Sequence, residues 1–268
     1  MSTVTSFVGQ IPELYDRHLG PVLFEPYARD LAARLPRDAR RLLEIAAGTG
    51  RVTRHLLAAL PADGELVATD LNEPMIAEGR LRLPNDPRLR WQTADAQAIP
   101  FGDGAFDVVA CQFGLMFVPD KLLALREMRR VLRPGGTLLL STWDEVARNP
   151  ATKVLHELAM AAFPADPPMF MKTPFSMPDP IALRTLMSDA GFNDVHVETV
   201  AKTAEASSAA DLATGFVRGN PLWGQLVERG VNGDAFQARV AEELTRAFGE
   251  APCRSALSAH VVSASRGL

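Results

Sequence analysis

The chain has 268 residues, 47% of them hydrophobic and 22% charged, which suits one substantial core with insertions and excludes a fibrous or disordered class. A formal charge of -4 gives no electrostatic reason to expect nucleic acid, no apolar run approaches membrane-spanning length, and residues 1–10 lack the basic flank and apolar core of a leader. Two cysteines, Cys111 and Cys253, are too few for a disulfide framework and no His/Cys cluster has metal-ligand spacing, so reduced thiols, no metal and a cytoplasmic location are expected.

The opening segment, about residues 1–35, shows a helical pattern in Phe24, Tyr27, Ala28, Leu31 and Leu35 and contains Tyr15 and His18. Leu42, Leu43 and Ile45 then read as a strand buried on both faces, Gly48 and Gly50 as a tight turn, and Val52, Leu56, Leu57 and Leu60 as one face of a helix. A strand, glycine turn and helix in this order open a nucleotide-binding α/β domain, with the ligand at the carboxyl end of the strand. Residues 65–70 form a second strand ending in Asp70, and Asn72 caps a helix over 73–83. Strands follow at 89–95 and 106–111, separated by a turn at 100–105. A helix over 120–132 stops at Arg133-Pro134-Gly135-Gly136, and 137–143 is a fifth strand.

Five such alternations require right-handed crossovers and hence an open parallel sheet covered on both faces. The predicted fold is α/β: a Rossmann-like, seven-stranded, mostly parallel sheet with helices on both faces and a helical cap from insertions. The whole chain, 1–268, forms one domain, its ligand-binding core over 36–143 and its sheet completed by strands at 194–200 and 256–265. The cap comes from residues 1–35, 144–180 and 207–251, the last with a helix marked by Phe236, Val240, Leu244 and Phe248.

The nucleotide is narrowed by elimination. A nicotinamide fingerprint needs a small residue three positions after Gly50, where Thr53 stands, and no Gly-x-x-x-x-Gly-Lys-Ser/Thr phosphate loop occurs. Asp70, twenty residues after Gly50, suits any ribose, because its two oxygens accept both hydroxyls. A ribonucleoside without a pyrophosphate remains.

Glu44-Ile45-Ala46-Ala47-Gly48-Thr49-Gly50 resembles the first motif of class I S-adenosylmethionine (SAM)-dependent methyltransferases, with Ala46 where many members carry a glycine. Residues 68–76, 94–101, 106–114 and 127–136 resemble four further motifs in the family's order and spacing, and Ala190-Gly191-Phe192 also fits. The similarity covers about residues 40–143 and lies nearest to the small-molecule branch that includes ubiquinone- and menaquinone-biosynthesis methyltransferases. It implies SAM as cofactor and S-adenosylhomocysteine as product. It also implies roles. Ala46, Gly48 and Gly50 let the backbone approach the methionine portion, Asp70 accepts the ribose hydroxyls, and Leu71 and Met75 flank the adenine. Asp95 and the Ala96 amide meet the adenine edge, Gln112 and Phe113 end beside the sulfonium, and Tyr15 closes over the amino acid end. An acid after a strand, as at Asp95, is also a common turn residue, and Leu71 and Met75 would equally suit a core.

No catalytic residue is identified; His18 and His156, near the cap, are the candidate bases, and exposed helix positions explain both as well. Met116, Phe117, Trp143, Phe170, Phe175 and Trp223 sit at strand ends or in the insertions, where they could pack the cap or line a pocket for an apolar or aromatic acceptor. The expected function is methyl transfer to a small molecule by in-line displacement, with no nucleic-acid partner; acceptor atom and oligomeric state stay open. A non-catalytic SAM-binding regulator and an NAD-dependent oxidoreductase are the alternatives.

Overall fold

A computed structural model describes residues 9–165, 168 and 172–268. The sheet grows outward from β1 (Arg41–Ile45), whose Leu42 and Leu43 face opposite sides because successive strand side chains alternate. Both are buried, as is Ile45, so β1 carries apolar side chains on both faces of the sheet. To one side lie β2 (Glu65–Asp70) and β3 (Leu89–Thr93). To the other lie β4 (Phe106–Gln112) and β5 (Leu132–Trp143), then β7 (Cys253–Ser265) and the edge strand β6 (Asn193–Ala206). The order is β3-β2-β1-β4-β5-β7-β6, with β1 to β5 parallel and β7 antiparallel to both neighbours. Chain direction diverges at the β1/β4 boundary, where an open α/β sheet leaves a crevice beyond its carboxyl ends.

One face of the sheet packs Leu43, Val109 and Leu140 against α5 (Lys121–Val131) and α7 (Pro180–Asp189). The opposite face packs Leu42, Val108 and Val261 against α2 (Glu25–Ala33) and α3 (Arg51–Ala59). That second core continues into the cap helices α6 (Pro150–Ala162), α8 (Ala209–Arg218), α9 (Leu222–Glu228) and α10 (Gly233–Phe248). Helix α4 (Glu73–Arg82) completes the β2–β3 crossover.

The N-terminal helix differs from the sequence pattern in reach and in geometry. It begins at α1 (Ile11–Leu14), passes through a ten-residue π-helical stretch (Tyr15–Phe24) and runs into α2 without a break. Buried Asp16 anchors it: its Oδ1 accepts from Thr49 Oγ1 at 2.8 Å and Arg51 Nε at 3.0 Å, while its carbonyl accepts from Arg51 Nη2 at 2.6 Å. The widened turn places Tyr15 and Phe24 in a stack with 4.8 Å between ring centroids.

Other boundaries shift for visible reasons. Strand β3 ends at Thr93 because residues 95–98 fold back in a turn closed by Ala98 N to Asp95 O. Strands β6 and β7 extend to pair Ala206 with Cys253. Helices α6, α8 and α9 stand where the sequence gives only insertions, and β5 begins at Leu132 through an irregular register against Phe106. No helix among the described residues is long and apolar enough to cross a membrane, and they contain no group of three or more His, Cys, Asp or Glu arranged to hold a metal ion.

Candidate active site

The carboxyl ends of β1, β2 and β4 converge on a cavity of about 560 Å³. Backbone geometry builds its floor. Ala46 takes φ +55°, Gly48 +59° and Gly50 +86°, left-handed values that let the chain reverse between β1 and α3. A non-glycine residue there is uncommon, since its Cβ crowds the following carbonyl. The Ala46 methyl group is accommodated by Gly114: a Cβ on Gly114 would collide with it and lie 2.9 Å from Cys111 Sγ. The two small residues are thus complementary, and Ala46 still lines the cavity.

Asp70, at the end of β2, accepts from the Gly48 amide at 2.9 Å and the Asn72 amide at 2.8 Å. Burial raises its pKa, and those amides oppose the shift by favouring the carboxylate. Each oxygen keeps acceptor capacity beyond these bonds. Leu71 and Met75 line the same wall, as do Ala96 and Asp95, whose Oδ1 accepts from the Gln97 amide at 2.8 Å. Gln112 and Phe113 close the far side; Gln112 Nε2 donates to the Phe24 carbonyl at 3.2 Å, while Oε1 is buried with no hydrogen-bond partner. Phe113 takes φ +53° and stacks on Trp143 with centroids 3.9 Å apart and planes 5° from parallel.

Beneath the floor, Glu44 is buried with Oε2 unpartnered, and burial pushes its carboxyl up to about 8. Burial likewise drives the Tyr15 phenol far above its ordinary range, with the charges of Asp70 and Asp16 adding to the effect. Burial moves the Cys111 thiol up to about 12, which leaves it inert.

A second cavity, about 100 Å³, adjoins the first, and Tyr15, Phe113 and Phe117 line both. Its wall is mostly aromatic, adding Phe24, Trp143, Phe175 and Phe216. Leu19, Leu23 and Pro174, with Thr152 and Leu155 of α6 and Asn220 at the α8–α9 corner, complete it.

The sequence-derived residues divide accordingly. Tyr15, Ala46, Gly48, Asp70, Leu71, Met75, Asp95, Ala96, Gln112 and Phe113 are brought together around the first cavity, with Met116 and Phe117. Gly50 stands apart: it begins α3, and a Cβ there would meet Leu83 and Trp91. Trp143 and Phe175 face the second cavity, and Phe170 lies outside the described residues. Trp223 lines neither cavity; the Arg218 guanidinium covers its ring at 3.9 Å. His18 and His156 line neither: His18 Nδ1 is 3.8 Å from Asp211, and His156 Nδ1 is buried and unpartnered. Burial lowers both imidazole pKa values. Sequence reasoning missed Thr152, Leu155, Phe216 and Asn220, which share no local motif; they meet only when α6 and α8 dock.

The geometry agrees with comparisons to known proteins. A family model described as a methyltransferase domain matches residues 43–140. The ubiquinone/menaquinone biosynthesis C-methyltransferase UbiE of Escherichia coli O1:K1 is 34% identical over 172 residues, covering 59% of this chain and 68% of that protein. Its counterpart in Ectopseudomonas mendocina is 36% identical over the same length, covering 59% of this chain and 67% of that one. Among solved structures, a putative methyltransferase from Bacillus halodurans superimposes with a TM-score of 0.57 at 15% identity, over 91% of this chain and 99% of that one. An NAD-dependent oxidoreductase and a non-catalytic regulator find no support here. Taken with the strand order, the left-handed turn after β1 and the carboxylate ending β2, these similarities show that the chain belongs to the class I SAM-dependent methyltransferases.

Proposed function

We propose that SAM occupies the larger cavity and that its methyl group passes to a small, largely apolar or aromatic molecule in the adjoining one. The observation that carries this reading is the shared lining: Tyr15, Phe113 and Phe117 border both spaces, which sets a donor in one beside an acceptor in the other. The residues present suit the cofactor. Asp70, already oriented by two backbone amides, presents its remaining lone pairs to the ribose hydroxyls. Leu71 and Met75 offer apolar faces to the adenine, and Asp95 and the Ala96 amide take its polar edge. Gly48 leaves the methionine portion room beside the β1 turn, and Tyr15 stays protonated to donate a hydrogen bond over it.

When bound, SAM supplies a methyl group made electrophilic by its sulfonium. The chain then has to place the acceptor about 3 Å from that methyl, in line, with water excluded. Phe113, fixed against Trp143, and Phe117 set this alignment. Among the described residues no His, Lys, Arg, Asp or Glu lines the second cavity, and the part its aromatic lining can play is to position the acceptor. Calorimetry with S-adenosylhomocysteine tests the cofactor assignment: Asp70→Ala is expected to weaken binding about 100-fold, from the loss of charge-assisted hydrogen bonds. Unchanged affinity would remove Asp70 from the site.

A further inference from the structure

We infer that Thr152 is the specificity-determining residue of the acceptor cavity, its hydroxyl receiving the one hydrogen-bonding group of an otherwise apolar, uncharged acceptor ring. The inference rests on the acceptor reading of the second cavity and adds what selects the ligand there.

Three observations converge. The cavity, at about 100 Å³, is the size of a single ring; a somewhat larger engineered apolar cavity, about 150 Å³, takes up benzene. Its side chains with hydrogen-bonding groups are Tyr15, Trp143, Thr152 and Asn220, of which the Trp143 indole can only donate. Asn220 is already engaged, with Nδ2 donating to the Phe216 carbonyl at 2.6 Å and Oδ1 accepting from the Leu222 amide at 2.8 Å. Tyr15 also borders the larger cavity and stacks on Phe24.

Thr152 is different. Thr185 and Thr214, deeper inside α7 and α8, return their hydroxyls to the carbonyl one turn back, at Ile181 and Ala210, whereas Thr152 stands in the first turn of α6. The Thr152 hydroxyl makes no such bond, has no hydrogen-bond partner among the described residues, and is not a sealed, unsatisfied atom. A hydroxyl without a protein partner, on a residue that lines a mostly apolar cavity, is a donor and acceptor available to orient a ligand there. A charged group placed there would meet no counter-ion among the described lining residues, and leaving a charge unpaired in such surroundings is costly.

The test uses the full chain loaded with S-adenosylhomocysteine and three probes of one shape: phenol, toluene and benzoate. Binding is read by saturation-transfer NMR and by quenching of tryptophan fluorescence. Phenol is expected to bind about tenfold more tightly than toluene, and benzoate not to saturate, because a site built to hydrogen-bond a ligand discriminates against one that lacks the group. Thr152→Val, which keeps the shape, is expected to remove the tenfold preference while leaving toluene unchanged, and Thr152→Ser to restore it. A phenol-to-toluene ratio unchanged in Thr152→Val, or benzoate binding as well as phenol, would overturn the role of Thr152. Failure of all three probes on protein that still binds S-adenosylhomocysteine would instead overturn the acceptor reading of the cavity.

Discussion

The two cavities share Tyr15, Phe113 and Phe117 yet are built by different means. Much of the larger one follows directly on strands: residues 45–48, 70–72, 94–97 and 112–114 lie at four strand ends and turn where left-handed conformations or Asx-type bonds require. The smaller one is side chain, assembled from positions as far apart as Tyr15 and Asn220 by helices that must first dock on one another. Where strand ends fix a site, its shape is settled by local chain geometry; where helices enclose it, shape follows from packing and is free to vary with the cap. A single family can therefore keep one donor and exchange acceptors.

The N-terminal helix is the exception, since it serves both cavities through Tyr15 and is held by a distant ion pair, Asp16 with Arg51. Arg51→Met should have the largest effect. It leaves buried Asp16 with Thr49 and a longer approach from Arg82 at 3.6 Å, at a cost of about 3 kcal/mol, the scale for breaking a buried pair. Hydrogen exchange should accelerate across residues 11–24, and affinity for S-adenosylhomocysteine should fall. Protection unchanged there would mean that the helix is held by its apolar face alone.

A smaller effect should follow from Gly114→Ala, which drives a methyl group into Ala46 and costs about 2 kcal/mol by overpacking. Ala46→Gly in the same chain should recover most of it. Additive losses in a denaturation cycle would break the claim that these two positions are matched.

Smallest is Glu44→Gln, which sharpens the contrast by probing a motif residue for a non-local cost. Burial raises the folded pKa of Glu44 to about 8, so its contribution is fully present below the unfolded value near 4.5 and is lost as pH rises toward 8. Glutamine lacks that slope. The stability of Glu44→Gln relative to the parent should thus increase by about 1 kcal/mol between pH 6 and 7, read from urea midpoints. A flat difference would mean that Glu44 ionises freely beneath the turn.

The sheet and the lining of the larger cavity were legible because their signals are short-range. Leu42 to Ile45, the glycines at 48 and 50 and Asp70 each declare a strand or a turn within a few residues, whereas Asn72 stands at the start of α4 without capping it, its side chain donating to Asp70 instead. The cap was not. Helix α8 has a one-sided apolar face in Leu212, Ala213, Phe216 and Val217, but nothing local to it says which surface that face meets. Trp223 was an equal blind spot: an aromatic in an insertion suits a pocket or a surface stack, and only the position of Arg218 separates them. The matching of Ala46 to Gly114 joins positions 68 residues apart, beyond any local motif.

Strand β7 carries a consequence for synthesis. It occupies an interior place, between β5 and β6, although it is made after every other strand. A ribosome adding about 5–20 residues per second releases β1 to β5 early, able to close among themselves, whereas β6 emerges with its only sheet neighbour still unmade. In that interval the outer edge of β5 has no strand beside it, an open template for wrong partners. The β1–β5 part of the sheet, with the larger cavity at its strand ends, can thus form during translation, while β6 waits for residues 253–265 to slot in and tie the two together.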